Sequence, residues 1–207
     1  VDYHMPVAVF SLEMSALQLV MRLMTTESGL SADKLKGGAK LDPWDWQQLE
    51  TRLANLSKAP LYIDDTPSIP LMEFRTKIKR LVKAKDVRLV IVDYLQLMQG
   101  PAELRGMREQ EVAAISRTLK ATAKELNVPI IALSQLSRDA VKRTGGSGKP
   151  QLSDLRESGS IEQDADMVIF IHRPDYVGLG ETPDGKETTQ VIIAKHRNGE
   201  VCDIDML

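Results

Sequence analysis

Short apolar runs alternate along this chain with longer stretches whose apolar residues recur every three or four positions, and this alternation limits the fold more than any other feature. Runs of strand length lie at 6–10, 61–64, 88–93, 130–134, 167–171, 189–195 and 201–206. Most are continuously apolar, as strands covered on both faces must be, so the order strand, helix, strand predicts an α/β fold. It would be built on a mainly parallel sheet flanked by helices. The last two runs flank Asn198-Gly199, a hairpin-turn dipeptide, which predicts an antiparallel hairpin at the C-terminal edge. With 207 residues and 43% hydrophobic content, a single domain over 1–207 with one core is expected.

The helical stretches carry their own boundary signals. Ser15 with Gln18 three places on forms a capping-box pattern, predicting a helix that runs to about Glu27. Asp42-Pro43 places an N-cap before a residue of fixed φ, and Trp46, Leu49, Leu53 and Leu56 then recur as one face expected to be buried. Val112, Ile115, Leu119, Ala123 and Leu126 keep the same period from Arg108 until Asn127-Val128-Pro129 ends it. The Gly-rich basic stretch 142–150 lacks periodicity and is expected to be a mobile loop. Met14, Met21, Met24, Met72 and Met98 are expected to fill core gaps, and Cys202 to be a buried strand residue. Trp44 and Trp46 belong to one amphipathic helix, which makes them packing residues before base-stacking ones.

Composition narrows the function classes. A net charge of −2 gives no global basic field, so any nucleic-acid contact must come from a few local Lys and Arg. One cysteine excludes an internal disulfide, and His4, His172 and His196 offer no metal-ligand pair at helical spacing. No run approaches the ~18 apolar residues a spanning helix needs, and no signal core opens the chain, so a cytoplasmic protein with no membrane partner is expected. The chain starts just before a strand-like run and stops within another, the pattern expected of a piece of a longer protein.

In open α/β sheets ligands lie beyond the carboxyl ends of the strands, and three strands here end in polar residues. Arg88-Leu89-Val90-Ile91-Val92-Asp93 closes an apolar strand with a carboxylate, the form of a Walker B aspartate holding Mg²⁺ beside a nucleotide; a helix cap or turn residue has the same form. Ser134 and Gln135 follow another strand, where an amide can sense a γ-phosphate or simply begin a polar loop. Glu13 follows a third, placed for a general base or for a solvated first-turn glutamate. Lys195 and Arg197, two apart, project to one face while His196 points away; a charged edge strand that resists aggregation has the same pattern. The turn 154–159 has the form of a helix entry with a surface ion pair.

Six ordered motifs, taken together, resemble those of DnaB-type replicative DNA helicases. They are Phe10-Ser11-Leu12-Glu13-Met14-Ser15, Val92-Asp93-Tyr94-Leu95-Gln96-Leu97-Met98 and Ala132-Leu133-Ser134-Gln135-Leu136-Ser137-Arg138, then Leu152-Ser153-Asp154-Leu155-Arg156-Glu157-Ser158-Gly159, Ile161-Glu162-Gln163-Asp164-Ala165-Asp166 and Ile193-Ala194-Lys195-His196-Arg197-Asn198-Gly199. The resemblance covers essentially the whole chain and implies a RecA-like P-loop NTPase core using ATP and Mg²⁺. It implies that Glu13 is the catalytic base, Asp93 the metal partner and Gln135 the sensor. Lys195 and Arg197 would reach a neighbouring subunit's ATP, Arg197 as an arginine finger. Arg156, Glu157 and Gly159 would meet single-stranded DNA. A hexameric ring, a primase and a helicase loader are the implied partners.

One departure stands against that resemblance. The family's phosphate-cradling loop has the form G-x-x-x-x-G-K-[ST], and these 207 residues contain none. Gly145-Gly146-Ser147-Gly148-Lys149-Pro150 fails because Arg143 stands at the first glycine position and Pro150 replaces the hydroxyl. In the family the missing strand and helix would occupy the middle of the sheet. Two readings follow: part of an ATP-driven helicase motor, or a non-catalytic DNA-binding or assembly fragment. A recombinase-like ATPase on the same fold is a third.

Overall fold

The computed structural model describes residues 3–136, 149–173 and 189–206, in two compact units. The first unit, Val1–Gln99 with Ala121–Ser134, is built on a four-stranded parallel sheet of order β2-β1-β3-β4. Its strands are β1 (Val7–Ser11), β2 (Leu61–Asp64), β3 (Leu89–Asp93) and β4 (Ile130–Ala132). β1 pairs with β2 from Val7↔Leu61 to Phe10↔Asp64, and with β3 from Val7↔Leu89 to Ser11↔Asp93. β3 in turn pairs directly with β4, Val90 opposite Ile130, so the described sheet has no gap between the strands that end in Asp93 and Ala132. Ala8, Phe10, Val90 and Val92 alternate with half-buried neighbours and are almost wholly removed from water. Against that face the Phe10 and Phe74 rings meet edge to face, centroids 4.7 Å apart at 63°.

Helices α1 (Ala16–Ser28), α2 (Ala32–Leu35), α3 (Pro43–Leu56) and α4 (Leu71–Lys85) complete this unit. The capping box at α1 is present in both directions: Ser15 Oγ accepts from Gln18 N, and Ser15 N donates to Gln18 Oε1. Gly29, at φ 70°, ends α1 in the left-handed conformation that a side chain would resist. α3 starts at Asp42-Pro43 as the sequence predicts, and Leu49, Leu53 and Leu56 are buried or half-buried as expected, but Trp46 is not. Trp46 is 61% exposed and Trp44 71%. Asp45 opens the stripe in its place: its carboxylate accepts from Lys34 Nζ at 2.8 and 2.9 Å, with Leu49 one turn on. At about 100° per residue, Trp46 is carried off that stripe. Met72 is likewise exposed, since α4 buries Leu71, Phe74 and Ile78, although Met98 fills the core as expected.

The second unit, Gly100–Lys120 with Gln135–Leu207, holds most of α5 (Arg108–Leu126), then α6 (Gly159–Asp164), β5 (Met167–His172), β6 (Thr189–His196) and β7 (Cys202–Met206). Val112, Ile115 and Leu119 are the buried stripe of α5, as their spacing predicts. The expected C-terminal hairpin is β6-β7, and β5 joins it to form a separate antiparallel sheet, order β5-β6-β7. One face of β5 buries Val168 and Phe170 with Leu155 and Ile192; the other leaves Met167, Ile169 and Ile171 exposed. Cys202, expected to be buried, is exposed, because β7 is the edge strand of this sheet and all its residues face solvent. A Cβ on Gly199 would lie 2.3 Å from the His196 ring, so a side chain there would displace that ring. Most of the loop predicted at 142–150 falls in 137–148, outside the described residues.

Phe74→Ala empties a fully buried position against Phe10, so it should cost about 3–5 kcal/mol of stability by chemical denaturation. The hydrogen bond from Lys34 holds the Asp45 carboxyl below its usual range, aided by the Asp42 backbone N–H. The resulting stabilisation is present above the unfolded value of about 3.9 and is lost as pH falls through the lower folded value. Asp45→Asn should therefore lower the urea midpoint near neutrality, and its difference from the unsubstituted chain should vanish in strong acid.

Candidate functional site

In a parallel sheet every strand delivers its carboxyl end to the same rim, and the β1-β3 register sets what meets there. Ser11, the last residue of β1, lies opposite Asp93, the last of β3. Leu12 N donates to Asp93 O at 2.7 Å, and Ser11 Oγ donates to Met14 O at 2.8 Å. These two bonds pin the turn 11–14 and hold Glu13, exposed, beside the end of β3. Asp65, just past β2, accepts from Ala16 N at 2.8 Å and so fixes the helix that follows the turn.

Two strands of this sheet end in aspartate, and the structure separates their roles. Asp64, at the end of β2, binds Lys77 at 2.8 Å, and Lys77 also reaches Glu73 at 3.1 Å. Burial alone would raise the Asp64 carboxyl, but Lys77 and Thr66 overturn that and hold it below its ordinary value. Asp93 is half-buried and has no cation partner among the described residues. Its peptide bond to Tyr94 is cis. The end of β4 is tied to the same rim, since Leu95 N donates to Leu133 O at 3.0 Å and Gln96 Nε2 donates to Ser134 Oγ at 2.8 Å. Gln96 lies within the second motif, but its link to Ser134 depends on a strand neighbour 38 residues away and leaves no local trace. Gln135 follows Ser134 in the chain, is exposed, and belongs to the second unit.

No group of three or more metal-ligating side chains exists among the described residues. A lone half-buried carboxylate suits a Mg²⁺ ion that arrives on phosphate oxygens and keeps most of its water, and not a cage of protein ligands.

In the second unit Lys195 and Arg197 converge on one helix end while His196 lies over Gly199. Lys195 Nζ donates to the carbonyls of Glu162 and Gln163, and Arg197 Nη2 donates to the Gln163 carbonyl at 2.6 Å. Arg197 Nη1 also reaches Asp166 Oδ1 at 3.3 Å. The carbonyls that end α6 carry the negative end of its peptide dipoles, which favours cations there. Residues 152–158 form a 3-10 turn leading into α6, fastened at its start by Gln151 N donating to Asp154 Oδ2 at 2.7 Å. The side chains of Arg156 and Glu157 lie outside the described residues. A Cβ on Gly159 would meet no atom within 4 Å, so packing does not require glycine there.

The family model for the DnaB-like helicase C terminal domain matches residues 1–207. This chain belongs to that family. It is 49% identical over 200 residues to the replicative DNA helicase DnaB of Geobacillus stearothermophilus, covering 97% of this chain and 43% of the relative. The replicative DNA helicase DnaC of Bacillus subtilis (strain 168) is 46% identical over 200 residues, with the same coverage, 97% and 43%. The chain thus spans under half the length of these curated relatives. A solved ATPase domain superposes with a TM-score of 0.88 at 36% identity, covering 99% of this chain and 71% of that one. A DnaB-like replicative helicase, solved in a study of its interactions with primase, superposes with a TM-score of 0.87 at 36% identity, covering 99% and 48%. The RecA-like α/β architecture expected from the motifs is therefore the architecture found.

These 207 residues lack the nest of backbone N–H groups and the lysine that meet β- and γ-phosphates, and one carboxylate at the rim does not replace them. Calorimetry on this chain alone should detect no ATP binding in the micromolar range, and steady hydrolysis should be absent.

Proposed function

We propose that this chain is one motor domain, 1–207, of an ATP-driven replicative helicase that moves along single-stranded DNA and unwinds duplex DNA. The observation that carries the reading is the pairing of Ser11 with Asp93, which sets Glu13 beside Asp93 at one rim of a parallel sheet. Glu13, exposed at a pinned turn, accepts the proton of the attacking water. Asp93, without a cation partner among the described residues, offers its carboxylate to the water shell of Mg²⁺, which would neutralise charge on the transferring phosphoryl group. Gln135, next to the Ser134 that Gln96 tethers, reports the nucleotide state to the DNA side.

Lys195 and Arg197 act in trans, on ATP held by the neighbouring subunit of a hexameric ring. Arg156 and Gly159 grip a DNA phosphate, with Glu157 orienting the arginine; the open space at the Gly159 Cβ position supports close backbone approach. A primase and a helicase loader are the proposed protein partners, and a cytoplasmic setting suits a chain in which no described helix is long and apolar enough to cross a membrane. The lack of a phosphate loop within these residues favours a second reading for the chain by itself, a non-catalytic DNA-binding or assembly fragment.

The test uses the intact protein. Arg197→Ala should reduce ATP turnover by about 10³-fold or more while nucleotide binding within each subunit persists. Mixing Arg197→Ala with Glu13→Ala subunits should restore part of that turnover, because some junctions then pair an intact base with an intact arginine. If no mixture recovers activity and Arg197→Ala also loses nucleotide, the cations are structural edge charges.

A further inference from the structure

Arg197 is a long side chain with four rotatable bonds, and a cation that must meet a phosphate across an interface gains nothing from sweeping through solvent. In this chain it does not sweep. Its backbone N–H donates to Asp166 O at 2.9 Å, its Nη1 reaches Asp166 Oδ1, and its Nη2 reaches the Gln163 carbonyl. Those side-chain bonds use two of the five guanidinium N–H donors and leave the side chain 45% exposed. The other Asp166 oxygen, Oδ2, accepts from Lys120 Nζ on α5. Lys195 ends on the carbonyls of Glu162 and Gln163, the second of which also accepts from Arg197. Two cations thus share a single carboxylate, and a third, Lys195, lies close enough to act on it through space.

We infer that Asp166 is a positioning residue: with the Gln163 carbonyl of α6 it holds part of the Arg197 guanidinium, leaving the remaining N–H donors to a phosphate, and Lys120 fixes the carboxylate that does so. The inference rests on the reading of Arg197 as the arginine that acts on a neighbour's ATP. The hydrogen bond from Lys120 holds the Asp166 carboxyl below its ordinary value, with Arg197 and Lys195 adding to the effect, so the clamp is charged near neutrality. Asp166 is itself 61% exposed, and exposed ion pairs add little to fold stability. Its contribution is to geometry.

In the intact protein, Asp166→Asn should lower kcat for ATP hydrolysis by about 10²-fold with KM for ATP nearly unchanged, since a misplaced trans cation affects the transition state and not substrate capture. Asp166→Glu, which keeps the charge, should recover part of the loss. In an Arg197→Lys background, which retains a cation but not the fork, Asp166→Asn should cost far less. The thermal midpoint should hardly move; should Asp166→Asn nevertheless unfold the protein, Asp166→Ser carries the same readout. Wild-type kcat in Asp166→Asn, a rise in KM alone, or an undiminished loss in the Arg197→Lys background would overturn the inference. Full turnover in Arg197→Ala would instead remove the arginine reading beneath it, a result separable from the first because it does not involve Asp166.

Discussion

The hydrogen-bonded register between β1 and β3 is the constraint on which the first unit depends. Pairing Val7 with Leu89 commits every later pair in turn, and four steps on it sets Ser11 opposite Asp93. The same pairing points Phe10 and Val92 to one face, where Phe74 closes the core. A slip of one residue would turn that apolar set outward and separate the turn of Glu13 from the end of β3. Stability and site therefore share one cause: the burial that fixes the register also fixes the rim.

Around that rim, polar side chains divide between holding and acting. Asp65, Ser11 and Gln96 spend their hydrogen bonds on the backbone of α1, on the turn after β1 and on Ser134. Asp64 is spent on Lys77. What remains beside the Leu12–Asp93 bond is a half-buried carboxylate without a cation among the described residues and an exposed glutamate on a pinned turn. The second unit follows a similar logic with the sign reversed, because its cations gather at the carbonyl end of α6 and one carboxylate, Asp166, serves two of them.

Much of this was legible in the residues. Helix starts at Ser15 and Asp42 were readable because capping is local, a matter of three or four residues and their own backbone. Strand positions were readable because burial on both faces demands continuous apolar runs. Trp46, Met72 and Cys202 are exposed against expectation for a common reason: periodicity shows that a helix or strand has an apolar side, but not which neighbour covers it. On α3 the carboxylate of Asp45, paired with Lys34, takes the buried place expected of Trp46, and a buried charged side chain is invisible to a hydrophobic pattern.

The sequence by itself determined the alternation of strands and helices, their caps, and the motifs that place Glu13, Asp93, Gln135, Lys195 and Arg197 near strand ends. Only the tertiary structure decided which aspartate at the rim is consumed by a lysine and which is left available. It alone gathered β5, β6 and β7 into their own antiparallel sheet, and brought Lys120, 46 residues away in the chain, to Asp166. The physical reason is range: capping and periodicity act through a few covalent steps, whereas pairing between strands and between distant charges exists only after the chain has closed the loops between them.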